Sequence, residues 1–188
     1  YSACDNDPIC QKLIRGQADI QHSFVDIKDR LHESERRQVL SIHEAALERQ
    51  KRLKEQLNGS DAHPPAPGMT KEVYDQEKHD LTATYLADLF DVLSKCSFKD
   101  EVWCDKHEKL CPLSPRSQPW CDEACRWIEI AGHTCDPFTT MGNKDDLLST
   151  STLDLYVWAF WLRYAEPDDI ITECGPLFRP EYLTIVLG

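Results

Sequence analysis

Apolar residues recur at helical spacing along the N-terminal part of the chain, and no glycine or proline interrupts the segment between Ile20 and Leu57. From Ile20 to Leu31 the apolar positions are spaced by four, three and four residues, and a second stripe begins at Val39 after a polar interval. Such spacing is typical of an amphipathic helix. The pattern therefore predicts one long helix, or two shorter helices if the chain breaks near Ser34.

A second amphipathic segment follows a loop. The stretch 60–68 contains three prolines, which favour extended backbone, and Thr70 is a suitable N-cap for a helix that runs to about Ser94. The preceding helix, packed antiparallel, is the natural partner of its apolar face, so we expect a helical hairpin around the proline loop. The apolar positions of that face are Tyr74, Leu81, Tyr85, Leu89 and Val92.

The C-terminal half predicts two shorter helices. Trp120–Ala131 is a candidate helix that ends at Gly132, and Leu153–Ala165 is apolar on every side, which favours a core helix over a buried strand. We therefore expect an all-α protein, in which a long helical hairpin packs on a smaller disulfide-rich helical region. The corresponding domains are residues 1–96 and residues 97–188, which together form one compact unit.

The cysteines are the strongest chemical signal in the chain. There are nine among 188 residues, and cytosolic proteins rarely carry so many thiols without a metal or redox use. We interpret them as the disulfide framework of a protein from an oxidising compartment, with at least one cysteine unpaired because nine is odd. The predicted framework comprises Cys4, Cys10, Cys96, Cys104, Cys111, Cys121, Cys125, Cys135 and Cys174.

Zinc binding is the alternative use of these cysteines. Structural zinc takes four thiolate or imidazole ligands in a tetrahedron, and closely spaced pairs in a sequence supply them. The spacing here matches no common zinc finger, and four cysteines would stay unexplained, so disulfides are the favoured interpretation. The candidate zinc ligands are Cys104, His107 and Cys111, followed by Cys121, Cys125, His133 and Cys135.

The net charge of −12 lies entirely in the C-terminal two-thirds of the chain. Residues 58–188 contain 23 acidic and 11 basic side chains, which argues against a nucleic-acid partner. One basic cluster, formed by Arg49, Lys51, Arg52 and Lys54, could steer an acidic protein partner. A solvated helix face is the simpler explanation of the same charges.

Three features favour secretion. The cysteines are numerous, the chain starts at Tyr1 without a leader, as a processed secretory protein would, and Asn58 begins a glycosylation triplet with Gly59 and Ser60. No apolar run reaches the length of a membrane span. We therefore expect a secreted, extracellular glycoprotein without a membrane span.

The chain contains no G-x-S-x-G elbow, H-E-x-x-H pair or glycine-rich phosphate loop, so we expect no cofactor and no catalytic residues. In composition it resembles the small secreted cysteine-rich proteins that pathogens, parasites and fungi deploy against hosts, although no shared motif carries this resemblance. We expect a non-enzymatic effector or antigen that binds an extracellular protein. The alternatives are an enzyme whose site assembles only in the fold, and a carrier of a small apolar ligand lined by the five aromatic residues between Tyr156 and Tyr164.

Overall fold

The computed structural model describes most of the chain in seven stretches. These are residues 2–5, 7–17, 19–59, 64–117, 126–132, 147–149 and 151–173. The helices are α1 (Pro8–Gly16), α2 (Glu33–Asn58), α3 (Lys71–Leu93) and α4 (Thr152–Ala165). The strands are β1 (Ser2–Cys4), β2 (His22–Phe24), β3 (Glu101–Cys104), β4 (Lys109–Pro112), β5 (Ile128–Gly132) and β6 (Asp169–Glu173). Short 3-10 helices span Ile27–Arg30 and Pro115–Ser117.

The strands pair into three two-stranded sheets, so the fold is mixed α/β. β1 pairs with β2 and β5 pairs with β6 in parallel, whereas β3 and β4 form an antiparallel hairpin. The expectation of an all-α protein is therefore wrong. The expected disulfide-rich helical region is also wrong for the described residues, because β3, β4 and β5 lie there and every described cysteine is a free thiol.

Helix α2 begins only at Glu33, so the first part of the predicted long helix is wrong. The chain forms β2 there, and then a 3-10 helix that starts where the Asp26 side chain accepts a hydrogen bond from the Lys28 amide. Phe24 and Leu31 are both buried, although neither lies in an α-helix. Phe24 is buried as part of a strand, and Leu31 is buried directly after a 3-10 helix. Their spacing therefore matches a helix although the backbone there is not α-helical.

Helices α2 and α3 pack against each other as a hairpin. Thr70 caps α3, since its hydroxyl accepts a hydrogen bond from the Val73 amide at 3.3 Å. A polar contact crosses the seam, where His43 Nδ1 lies 2.8 Å from the Tyr85 hydroxyl. The buried residues of the two helices are Val39, His43, Ala46, Gln50 and Leu53 of α2 and Tyr74, Leu81, Tyr85, Leu89 and Leu93 of α3.

Helix α4 runs through the core, and the predicted helix over Leu153–Ala165 is confirmed. All but one of the residues in Thr152–Leu162 are buried. Tyr156 and Phe160 pack edge-on against Phe90 of α3, with ring centroids 5.5 and 5.4 Å apart. The aromatic residues of α4 therefore serve core packing, in the geometry that aromatic rings prefer.

The predicted helix over Trp120–Ala131 is wrong in its described part. Ile128–Gly132 is strand β5, and its isoleucines at alternate positions suit a strand paired with β6. Trp127 lies just before β5, and its ring packs against Trp161 of α4 at 6.4 Å, which ties the strand to the core helix. The first part of the predicted helix, 120–125, lies outside the described residues.

In the part of the chain that the structure describes, no helix combines the length and apolar character that crossing a bilayer requires.

Leu89 tests the packing of the helical hairpin, because its side chain is 0% exposed in the seam. Leu89→Ala should lower the free energy of unfolding by about 2–5 kcal/mol, since it removes buried methyl groups and leaves a cavity. Urea denaturation measures this change. Asp88→Ala, at the exposed neighbouring position, is the matched control and should change stability by no more than about 0.5 kcal/mol. Equal effects of the two variants would mean that Leu89 is not buried in a packed core.

Candidate metal centre

Two cysteines and two histidines come together beside the β3–β4 hairpin. They are His22, Cys104, His107 and Cys111, and their donor atoms all lie within 4.8 Å of one another. The cysteines are buried, His22 is partly buried and His107 is exposed, so the cluster lies just beneath the surface. We refer to these four residues as the metal centre.

The antiparallel register of the hairpin places both thiols on one face. Cys104 pairs with Lys109 and Val102 pairs with Cys111, so the two cysteines are diagonal neighbours. Trp103 points to the opposite face and is 52% exposed, as strand alternation requires. Diagonal positions separate Cα atoms by roughly 7–8 Å, whereas a disulfide spans about 7 Å at most without backbone movement. This position suits a metal ion held between the two sulfur atoms better than a disulfide.

His107 comes from the tight turn that joins the two strands. The Glu108 amide closes the turn by donating to the Cys104 carbonyl at 2.8 Å, and Glu108 adopts the left-handed conformation with a φ of 52°. His107 Nδ1 then lies 3.6 Å from Cys104 Sγ and 3.3 Å from Cys111 Sγ. The local C-x2-H-x3-C segment thus supplies three of the four donors.

The fourth donor, His22, comes from β2, which packs against β3. The Ser23 amide donates to Cys104 Sγ at 3.4 Å, and the Asp105 amide donates to the Ser23 carbonyl at 2.9 Å. His22 Nδ1 is buried and has no hydrogen-bond partner among the described residues. Because an unpaired buried nitrogen is costly, this atom indicates that a ligand completes its surroundings.

The electrostatic surroundings keep His22 in the form that binds metal ions. Burial lowers the pKa of His22, and the neighbouring His107 and Lys109 lower it further, so its imidazole is neutral near neutral pH. Burial raises the pKa of the Cys111 thiol, and the adjacent Cys104 adds to this effect. A divalent cation bound between the two sulfur atoms would favour the thiolate form instead, because a coordinated thiol loses its proton.

The donor set matches tetrahedral zinc. Two thiolates and two imidazoles form a common structural zinc site, with bonds of about 2.3 Å to sulfur and about 2.0–2.1 Å to nitrogen. Donors in such a tetrahedron are separated by roughly 3.3–3.8 Å, and the two sulfur distances from His107 Nδ1 already lie in this range. Thiolates also select zinc over magnesium or calcium, which prefer oxygen ligands. Four protein ligands leave no open position for a substrate, so the geometry is typical of a structural site.

The zinc alternative predicted from the sequence names three of these donors, Cys104, His107 and Cys111. His22 is absent from that prediction, because no spacing pattern connects it with a hairpin so far along the chain. Only the packing of β2 on β3 brings it to the site. The other predicted ligands lie outside the described residues: Cys121, Cys125, His133 and Cys135.

The remaining described cysteines, Cys4, Cys10 and Cys96, are free thiols that do not belong to the metal centre. Burial raises the pKa of both Cys4 and Cys96 to about 11, so these thiols are protonated and unreactive near neutral pH. Cys174 lies outside the described residues. Disulfide pairing that involves undescribed cysteines therefore stays a prediction.

The predicted partner-binding cluster lies on α2. Arg52 is ion-paired with Glu48 at 3.1 Å and Lys54 is half-buried, so the cluster presents less free charge than the sequence suggests. Asn58 is exposed at the last position of α2. Partner binding by the cluster and glycosylation of Asn58 both stay predictions. The residues of the cluster are Arg49, Lys51, Arg52 and Lys54.

Comparisons of this chain with protein-family models, with curated proteins and with solved structures find no match. Its function is therefore argued from the geometry of the metal centre.

The free thiols lead to a direct test. We expect iodoacetamide to alkylate all five described cysteines when the protein is unfolded with a chelator and without a reducing agent. Peptide mass spectrometry assigns each modified residue, and a fully reduced sample is the control. A disulfide between any two of the five would contradict the described thiols and restore the disulfide framework for them.

Proposed function

We propose that this is a zinc-binding protein in which the metal has a structural role, and that the protein acts by binding another protein rather than by catalysis. The observation that carries the proposal is the convergence of two thiols and two imidazoles within 4.8 Å. A zinc ion held by all four has no open coordination position, in contrast to catalytic zinc with three protein ligands and a water. This proposal of a bound zinc ion replaces the expectation of no cofactor.

The structural role follows from where the ligands lie. His22 belongs to the N-terminal segment, by which we mean the described residues from 2 to 24, and the other three ligands belong to the β3–β4 hairpin. Other contacts between the two parts are the packing of β2 on β3 with the two Ser23 hydrogen bonds described above, the Arg15–Asp105 ion pair at 3.7 Å, and hydrogen bonds from Lys106 Nζ to the carbonyls of Gln17 and Ile20. Helix α1 contains no buried residue. A zinc ion would therefore add a strong connection between the segment that carries His22 and the hairpin, beside the burial of Ser23 and Phe24.

The protein-binding part of the proposal is supported by the exposed surfaces beside this rigid site. Trp103 and Leu110 are cross-strand partners on the outer face of the β3–β4 hairpin and are 52% and 58% exposed. Exposed aromatic and aliphatic side chains on a rigid element are typical of protein-binding surfaces. The extracellular location of the partner and of this protein depends on the oxidation state of the cysteines, and it stays a prediction.

Zinc content tests the site directly. Protein purified with zinc and dialysed should retain zinc in the wild type, and His22→Ala and Cys104→Ser should each lose one zinc ion per chain, because each removes a ligand. Metal analysis and a colorimetric zinc assay measure the content. Cys96→Ser and His79→Ala are matched controls, since neither residue belongs to the metal centre. If the ligand variants and the controls hold the same amount of zinc, the site is wrong.

Chelation tests the structural role. Removal of zinc should accelerate amide hydrogen exchange in the N-terminal segment, while the α2–α3 seam, which contains no ligand, should keep its protection. Hydrogen exchange with mass spectrometry resolves the two regions, and added zinc should restore the slow exchange. Uniform acceleration across the chain would mean that the metal supports the whole fold and not this segment.

A further inference from the structure

We propose that the metal centre is a redox-controlled latch. A peroxide oxidises Cys104 and Cys111 to a disulfide, which expels the zinc ion and releases the N-terminal segment from the β3–β4 hairpin. This inference rests on the proposed zinc site, and it adds a regulation that the structural role alone does not require.

The two thiols are placed for this chemistry. Cys104 Sγ and Cys111 Sγ lie within 4.8 Å of each other, and both contact Nδ1 of the same His107. Zinc keeps both sulfur atoms as thiolates, and the thiolate is the form of cysteine that peroxides oxidise. The metal centre therefore presents two oxidisable sulfur atoms side by side.

The reaction balances with hydrogen peroxide as the oxidant. One thiolate attacks the peroxide, the O–O bond breaks, and a sulfenic acid and hydroxide form. The second thiolate then attacks the sulfenic sulfur, an S–S bond forms and a second hydroxide leaves. Two thiolates and one hydrogen peroxide thus give one disulfide and two hydroxide ions, with two electrons passing from sulfur to oxygen. The disulfide sulfur atoms no longer carry the charge that holds the zinc ion.

Access and selectivity favour the same pair. His107 is exposed, so one side of the metal centre lies open to a small oxidant. Burial keeps the thiols of Cys4 and Cys96 protonated, which protects them from peroxide. Among these four cysteines, the zinc-bound pair is the more readily oxidised.

Oxidation also disturbs the way in which the N-terminal segment is held. A disulfide between diagonal positions requires the strands to shift, because the Cα atoms must approach each other. That shift moves Cys104 Sγ, which accepts the Ser23 amide hydrogen bond, and His22 loses its metal bond. The contacts that remain are the partly exposed Arg15–Asp105 ion pair, which contributes little, and the hydrogen bonds of Lys106 and of the Asp105 amide.

The test treats zinc-loaded wild-type protein with hydrogen peroxide and follows zinc release with a chromogenic chelator. Trypsin separates the two cysteines, since it yields peptides 100–106 and 110–116, each with one cysteine. We expect loss of the bound zinc together with a disulfide between these two peptides and faster hydrogen exchange in the N-terminal segment. Dithiothreitol and added zinc should reverse all three changes.

Two variants separate the latch from general oxidative damage. Cys111→His keeps four donors but only one thiol, so it should bind zinc and release it more slowly in peroxide, because no second thiolate can complete the disulfide, whereas Cys96→Ser should respond like the wild type. Cys111→Asp is the substitute if the histidine variant binds no zinc, and the wild-type cross-link decides the question if neither variant does. Zinc retained by the wild type, or zinc lost without the cross-linked peptides, would overturn the latch. A wild type that binds no zinc before oxidation would instead overturn the proposed function.

Discussion

Helix α4 carries apolar side chains around its whole circumference, and the need to cover them on every side organises the other elements. On one side, Tyr156 meets Phe90 of α3. On another side, the centroid of the Trp161 ring lies 5.6 Å from that of Phe98. Phe98 belongs to the segment that connects α3 to β3. Each large apolar side chain that is fully buried contributes about 1.5–3 kcal/mol, so α4 concentrates much of the stabilisation. The helical hairpin and the small sheets pack around this helix and bury its apolar side chains.

The metal centre is connected to this core through the 3-10 helix at Ile27–Arg30. The Arg30 guanidinium lies 4.7 Å above the Trp161 ring and 3.5 Å from a Glu129 carboxylate oxygen of β5, so three elements meet at one cation. The Arg30 carbonyl accepts a hydrogen bond from the Lys99 amide at 2.8 Å, just before β3. Val102 of β3 is buried in the core. The hairpin that carries three of the four candidate ligands is thus connected to the core by several contacts, and the fourth, His22, lies two residues before the buried Phe24.

The sequence pattern predicts the elements whose stability is local and misses those that depend on distant partners. Helices α3 and α4 follow directly from apolar spacing and, for α3, from the Thr70 cap, because each turn of a helix contacts the next. The strands are only three to five residues long, and β1, β2, β5 and β6 obtain their hydrogen bonds from strands elsewhere in the chain, so periodicity carries little information about them. The same reason explains the metal centre: Cys104, His107 and Cys111 share one turn and can be named from spacing, whereas His22 cannot.

The two parts of the metal centre also lie far apart along the chain. Ser23 and Cys104, which share a hydrogen bond at the site, are 81 residues apart in sequence. Closing a loop of that length costs about 4 kcal/mol of chain entropy, a cost that neighbouring elements such as α2 and α3 largely avoid. Packing of the helical hairpin and of α4 supplies free energy that offsets this entropy. A zinc ion held by all four residues would therefore report that the two ends of this long loop have come together.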